Sequence, residues 1–199
     1  MKHRKDGTIG LAFLLYVDDA VYCGDKELIA DLEKRLNQKF KLKMREQAKV
    51  FIGVTLERTD NAILMHQNSH IVGAVSKFGL DNAKKHYTPI VTDTPAGQSE
   101  ELAEPTLFRS LMGVLNYVSN GARPGISYAC SVLSRHMQTP RKADYQAAKR
   151  CLSYLNTSID RKTAYRFQDI KKYEIVAFTD SSWGNGPKRR TMGGYGYSI

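Results

Sequence analysis

The sequence predicts an α+β fold from three features: short apolar runs with an acidic tip at the start, helical periodicity through the middle, and strand-like runs near the end. Residues 8–15 read as a buried strand and 20–23 as a second short strand ending at Gly24. Asp18-Asp19 stands between them, so the two runs predict an antiparallel hairpin with acidic residues at its tip. Asp25 occupies the N-cap position of a helix in which Leu28, Ile29, Leu32, Leu36 and Phe40 recur at helical spacing. Glu27, Asp31, Lys34, Arg35 and Lys39 take the other face.

Residues 50–56 read as one strand containing Gly53, where a bulge or a close backbone approach fits a glycine. Its hairpin partner is 62–65, across Thr59-Asp60-Asn61. A helix over 69–78 is ended by Gly79. Residues 83–97 hold three threonines, two prolines and a glycine, a composition that predicts an irregular connection and a domain boundary.

A helix over 106–117 follows, with Leu107, Phe108, Leu111, Leu115 and Val118 on its apolar face. Gly121-Ala122-Arg123-Pro124 breaks it before a helix over 126–137, and Pro140 opens a third helix running to 155. Strand character returns at 163–167 and 174–178, and a Gly/Tyr-rich strand occupies 193–199.

The net charge is +10, with the basic residues spread along the chain. Such a balance raises the expectation of a polyanionic partner, because lysine and arginine release counterions when they neutralise phosphates. The competing reading is a lysine-rich soluble protein with no such partner. The spread of the charges favours a folded basic face over a disordered arm. The apolar stretch 9–15 is far short of the ~20 residues that span a bilayer. It also runs into two aspartates, which excludes a signal-peptide core. Cys23, Cys130 and Cys151 are odd in number and widely spaced, so neither a disulfide framework nor a zinc site is predicted, and a reduced intracellular setting fits.

Tyr16-Val17-Asp18-Asp19 is the sharpest chemical feature. Adjacent aspartates at a hairpin tip repel each other, and a divalent cation relieves the repulsion. Magnesium suits one or two carboxylates that share it with substrate phosphates, and in nucleotidyl transfer it activates the attacking oxygen and steadies the leaving one. The competing reading is an ordinary acidic turn, in which aspartate is common.

Beyond that pair, the chain resembles the copia-type retrotransposon reverse transcriptases. Tyr16-Val17-Asp18-Asp19 resembles their polymerase signature, and Phe51-Ile52-Gly53-Val54 resembles the segment that holds the primer end. Phe108-Arg109-Ser110-Leu111-Met112-Gly113-Val114-Leu115-Asn116-Tyr117, then Ala122-Arg123-Pro124-Gly125-Ile126-Ser127-Tyr128-Ala129, resemble the helical region after the palm. Phe178-Thr179-Asp180-Ser181-Ser182-Trp183-Gly184 resembles the opening of that family's RNase H domain.

The resemblance implies a reverse-transcriptase palm and primer-grip region over 1–97, a thumb-like helical region over 98–160, and the first antiparallel strands of an RNase H-like domain over 161–199. It implies Asp18, Asp19 and Asp180 as catalytic and Mg2+-binding residues, and Phe51, Ile52 and Gly53 as nucleic-acid-binding residues. The implied partners are an RNA template, a DNA primer and the RNA–DNA hybrid, with no membrane. Arg109 and Arg123 read as solvated helix-end charges; Tyr117, Tyr128, Tyr154 and Trp183 read as packing residues.

Departures accompany the match. The family's further palm aspartate is expected before Met1, and Asp6 is no substitute because no apolar strand precedes it. No acidic residue follows Asp180, and Gly125 stands where the family usually has aspartate. The expectation is a chain inactive alone, with a non-catalytic nucleic-acid-binding remnant or an unexpressed relic as alternatives. A palm lacking strands predicts an open edge and an exposed apolar face.

Overall fold

Apolar residues in the first strands build a three-stranded antiparallel sheet, β1 (Lys2–His3), β2 (Ile9–Tyr16) and β3 (Asp19–Gly24), in the order β1-β2-β3. The computed structural model describes residues 1–44, 47–91, 101–167, 176–182 and 192–198. The predicted first hairpin is present, with a register running from Leu11↔Gly24 to Tyr16↔Asp19.

Phe13 and Tyr22 are cross-strand partners, with rings stacked at 6.4 Å. The Tyr22 hydroxyl donates to Glu33 Oε1 (2.6 Å) on helix α1 (Lys26–Asn37), tying hairpin to helix. That bond and partial burial push the Tyr22 pKa up to about 12. Asp25 holds the predicted N-cap position, but its carboxylate accepts from Arg4 Nε (2.9 Å) and not from helix amides. The turn between β1 and β2 is thereby tied to the start of α1.

One expectation is corrected here. The strand predicted over 8–15 is not buried: Leu14 is 57% exposed and Leu15 60%, and only Gly10 is buried. The cover this sheet receives from α1 is a half-buried stripe of Leu28, Ile29, Leu32 and Leu36, which leaves the residues near the tip bare.

A second antiparallel sheet follows the order β4 (Val50–Phe51), β5 (Val54–Arg58), β6 (Ala62–His66) and β7 (Thr163–Arg166). The single strand predicted over 50–56 is in fact a hairpin that turns at Ile52-Gly53. The Thr59-Asp60-Asn61 turn is as predicted, and the Thr59 hydroxyl accepts from the Ala62 amide (3.0 Å) to close it. β7 joins β6 from far along the chain. There the Thr163 hydroxyl donates to the Ala122 carbonyl (2.8 Å), and Lys162 pairs with Glu57, which also bonds His66 Nε2 (2.8 Å).

The core lies among the helices α2 (Asn68–Lys77), α3 (Pro105–Gly121), α4 (Ser127–Ser134) and α5 (Lys142–Thr157). Gly79 ends α2 in the left-handed region, at φ 65. Pro105 at the first turn and the Glu104 carboxylate, which accepts from the amides of Thr106 and Leu107, start α3.

Ile71, Phe108, Leu111, Leu115, Leu152 and Leu155 are fully buried and pack together; each such side chain contributes about 1.5–3 kcal/mol through its burial. Leu107, predicted on this face, is 52% exposed. The helix predicted over 126–137 is shorter, because a 3-10 turn, Pro124–Ile126, precedes α4. After Ser134 the chain tightens into bonds three residues apart, from His136 N to Leu133 O and Met137 N to Ser134 O.

The chain divides into two compact units, Met1–Arg166 and Phe167–Ile199. The sequence reading began its third segment at 161, whereas this division follows β7. Within the second unit, β8 (Val176–Ser182) pairs antiparallel with β9 (Met192–Ser198). The expectations for 92–97, 174–175, Trp183, Gly184 and Ile199 fall outside the described residues.

Candidate functional site

The Tyr16↔Asp19 pair closes the first hairpin, so Val17 and Asp18 are its two central residues. Val17 has φ 53 while Asp18 does not have a positive φ, the pattern of a turn whose first central position is ordinarily glycine. A β-branched residue there is strained by about 1–3 kcal/mol. Val17 is also 83% exposed, so burial does not compensate it.

Asp18 and Asp19 are both exposed, and among the described residues neither carboxylate accepts a hydrogen bond or forms an ion pair. The tip therefore presents two unengaged hard-oxygen donors side by side. Asp6, at the opposite end of β2, is occupied by the amide (2.9 Å) and hydroxyl (2.6 Å) of Thr8. Among the described residues no group of three or more His, Cys, Asp or Glu is placed to hold a metal ion.

The Ile52-Gly53 turn repeats the theme. Phe51↔Val54 closes it, with Ile52 at φ 49 and Gly53 at φ 71, two successive left-handed residues as in a type I′ hairpin. Ile52 and Val17 are the only non-glycine residues with positive φ among those described. Both lie in segments that the sequence singled out. Tyr117 on α3 donates its hydroxyl to the Ile52 carbonyl (2.8 Å), and a Cβ at Gly53 would overlap that hydroxyl oxygen. His70 packs edge-on against the Tyr117 ring at 4.7 Å.

Asp18 and Asp19 sit on the first sheet and 51–53 on the second, both in the first unit. Asp180 belongs to the second unit, exposed within β8 opposite Gly194. It lies inside its strand and not beyond the strand's end, because β8 runs on to Ser182. Lys34, Lys39, Lys41 and Lys43, on and just after α1, are exposed.

Sequence reasoning missed two residues that shape these turns. Tyr117 was read as packing, yet it is 37% exposed and bonds the second turn. Val17 carried no signal, because backbone strain has no sequence signature when the residue is not glycine. Of the other tyrosines read as packing, Tyr154 is buried and Tyr128 is 55% exposed.

Residues 1–92 match the family model described as reverse transcriptase (RNA-dependent DNA polymerase). The chain is also 29% identical to a retrovirus-related Pol polyprotein from transposon RE1 of Arabidopsis thaliana, over 94% of this chain and 13% of that protein. It carries a copia-type retrotransposon reverse-transcriptase segment.

This segment is likewise 31% identical to a Pol polyprotein from transposon TNT 1-94 of Nicotiana tabacum, over 73% of this chain and 12% of the relative. A transposon Ty5-1 protein of Saccharomyces cerevisiae is 28% identical over 92% of the chain and 59% of its own length. The reverse-transcriptase segment thus spans a small part of the Pol polyproteins it matches. No solved structure matches it.

Proposed function

We propose that this chain forms part of an RNA-directed DNA polymerase and contributes two surface turns to it. One, Asp18-Asp19, holds Mg2+ against the phosphates of an incoming nucleotide. The other, Phe51-Ile52-Gly53, seats the end of a DNA primer paired to an RNA template. The single observation that carries this reading is backbone strain. Among the described residues, the two non-glycine residues held in the left-handed region are those of the two turns, and strain of this kind gathers at functional sites.

Bound magnesium would supply charge neutralisation at the reacting phosphate. The chain's own part is positional. Val17 turns the backbone so that Asp18 stands in the turn and Asp19 begins β3 directly after it, and Tyr22-Glu33 fixes the hairpin on α1. The donor set fits a loosely held Mg2+, which takes one or two carboxylates and completes its shell with water and phosphate. Exposed lysines on and after α1 supply charge for the phosphate backbone.

Within the same proposal, 1–97 is the palm and primer-grip region, 98–160 a thumb-like region, and the second unit, 167–199, the opening of an RNase H-like domain, since 163–166 pair with β6. There Asp180 is the first metal carboxylate for the RNA–DNA hybrid. An intracellular setting accords with the unpaired thiols of Cys23, Cys130 and Cys151. No helix among the described residues is long and apolar enough to cross a membrane.

A second reading, a non-catalytic nucleic-acid-binding remnant, is favoured by the donor count. Two-metal transfer holds attacking and leaving oxygens from both sides, and the described residues bring no third carboxylate to Asp18 and Asp19.

Primer extension with Mg2+, comparing the native chain with Asp18→Asn/Asp19→Asn, tests the second reading, and binding to the hybrid tests both. The chain alone is expected to incorporate nothing and to bind the hybrid with an affinity that falls about tenfold or more from about 50 to about 200 mM salt. Incorporation that is lost in the double variant would remove the second reading. Binding that is absent or indifferent to salt would remove both.

A further inference from the structure

We infer that Tyr117 is a positioning residue for the Ile52-Gly53 turn, reaching across from α3 to fix the shape in which the turn receives a recessed primer end. The inference rests on the reading of that turn as the primer-end seat.

The geometry begins with a short hairpin. β4 contains two residues, so its ladder with β5 is short, yet the turn keeps isoleucine at φ 49 and glycine at φ 71. A strained backbone persists only where its surroundings over-determine it. Here the external restraint is the Tyr117 hydroxyl, which donates to the Ile52 carbonyl at 2.8 Å.

The restraint is matched from both sides. Gly53 has no side chain where the phenol oxygen lies, and a Cβ built there would overlap that oxygen and stand 3.2 Å from Tyr117 Cζ. His70, on α2, sets its ring edge-on to Tyr117 at 4.7 Å and limits the ring's swing. Glycine at 53 therefore answers two demands at once, a left-handed backbone and room for the phenol.

The turn so held is not a core feature. Ile52 is 37% exposed and Gly53 is exposed. A surface turn kept rigid by a bond from a neighbouring helix is preorganised for a ligand, because binding then requires no ordering of the turn. Tyr117 also lies outside the matched residues 1–92, so the helical bundle, and not the matched segment alone, sets the form of the seat.

The test uses the full chain and two labelled duplexes of equal length, a primer–template with a recessed 3′ end and a blunt-ended duplex, in competition at fixed salt. The native chain is expected to prefer the recessed end. Tyr117→Phe should lower that preference about fivefold to tenfold, leaving affinity for the blunt duplex and the melting temperature unchanged. Amide exchange at residues 52–54 should quicken in the same variant. Gly53→Ala should also lower the preference, and its added effect should shrink in the Tyr117→Phe background, where the oxygen it meets is gone.

Equal losses for both duplexes, or an undiminished preference, in Tyr117→Phe would overturn the inference while leaving the primer-seat reading intact. A native chain with no preference for the recessed end overturns the reading and the inference together. Should Tyr117→Phe lower the melting temperature, the comparison of Gly53→Ala in the two backgrounds decides, because alanine at φ 71 strains the turn in both. An effect on preference that shrinks when the phenol oxygen is gone supports the inference, and an equal effect in both backgrounds overturns it.

Discussion

The Arg123 guanidinium donates to both the carbonyl oxygen (2.9 Å) and the hydroxyl of Ser158, binding the end of α3 to the residue that caps the C-terminus of α5. The sequence read this arginine as a solvated charge at a helix end, but it is 8% exposed and lies over the Tyr154 ring. A cation at a helix C-terminus is favourably placed against the helix dipole. Arg123→Ala is expected to destabilise the chain by about 2–4 kcal/mol, through lost charge-assisted bonds and a void. Arg123→Lys should recover less than half, since an ammonium cannot reproduce the planar fork. Chemical denaturation measures both, and full recovery by lysine would contradict the account.

Strain at Val17 makes a separate prediction. Its side chain is almost wholly exposed, so replacing it sacrifices little burial. Val17→Gly should be about 1 kcal/mol more stable than Val17→Ala, because alanine keeps the left-handed penalty that glycine escapes. Melting curves of the two variants decide it. An alanine variant equal to or above the glycine variant would show that the turn relaxes in solution.

Glu104 sets a pH dependence at the start of α3. The Thr106 and Leu107 amides hold its carboxyl below the usual range. A carboxylate with a lowered folded pKa stabilises the fold above its unfolded value, about 4.3, and that contribution is lost as pH falls through the lower folded value. The first turn of α3 should therefore loosen in acid, below about pH 4, and Glu104→Gln should abolish the dependence. Amide resonances of Thr106 and Leu107 followed from neutral to acid pH report it; identical titrations in both proteins would sink it.

Truncation in the bundle should be costly. Phe108 is fully buried, packed with the other apolar residues of the core. Phe108→Ala is expected to cost about 3–5 kcal/mol. Leu107→Ala, one residue away but on the exposed side, should cost about 0.5 kcal/mol or less. Comparable losses at the two positions would mean that the face of α3 is misassigned.

Local signals in the sequence carried the elements whose causes are local. The apolar-acidic-apolar pattern around Asp18-Asp19 predicted the first hairpin, and the spacing from Leu28 to Phe40 predicted α1, although the helix ends at Asn37 and leaves Phe40 58% exposed. Gly79 correctly marked the end of α2. What failed depended on distant partners. Residues 50–56 read as one strand because alternation does not register a turn at Ile52-Gly53, whose left-handed backbone is held by a tyrosine on another helix. Arg123 looked exposed because nothing nearby in sequence announces Ser158 as its acceptor. The acidic tip itself was legible in its chemistry, but not in the strain that Val17 places behind it.

The pairing of β7 with β6 carries a consequence for biosynthesis. A ribosome delivers Ala62–His66 roughly 100 residues ahead of Thr163–Arg166, an interval of about 5–20 s at ordinary elongation rates. Throughout it the β6 edge that β7 later covers is open to any passing strand, so the nascent chain is at its stickiest while its helices are still being made. Slow codons between the two strands would lengthen that exposure, and a chain released before Thr163 would never end it.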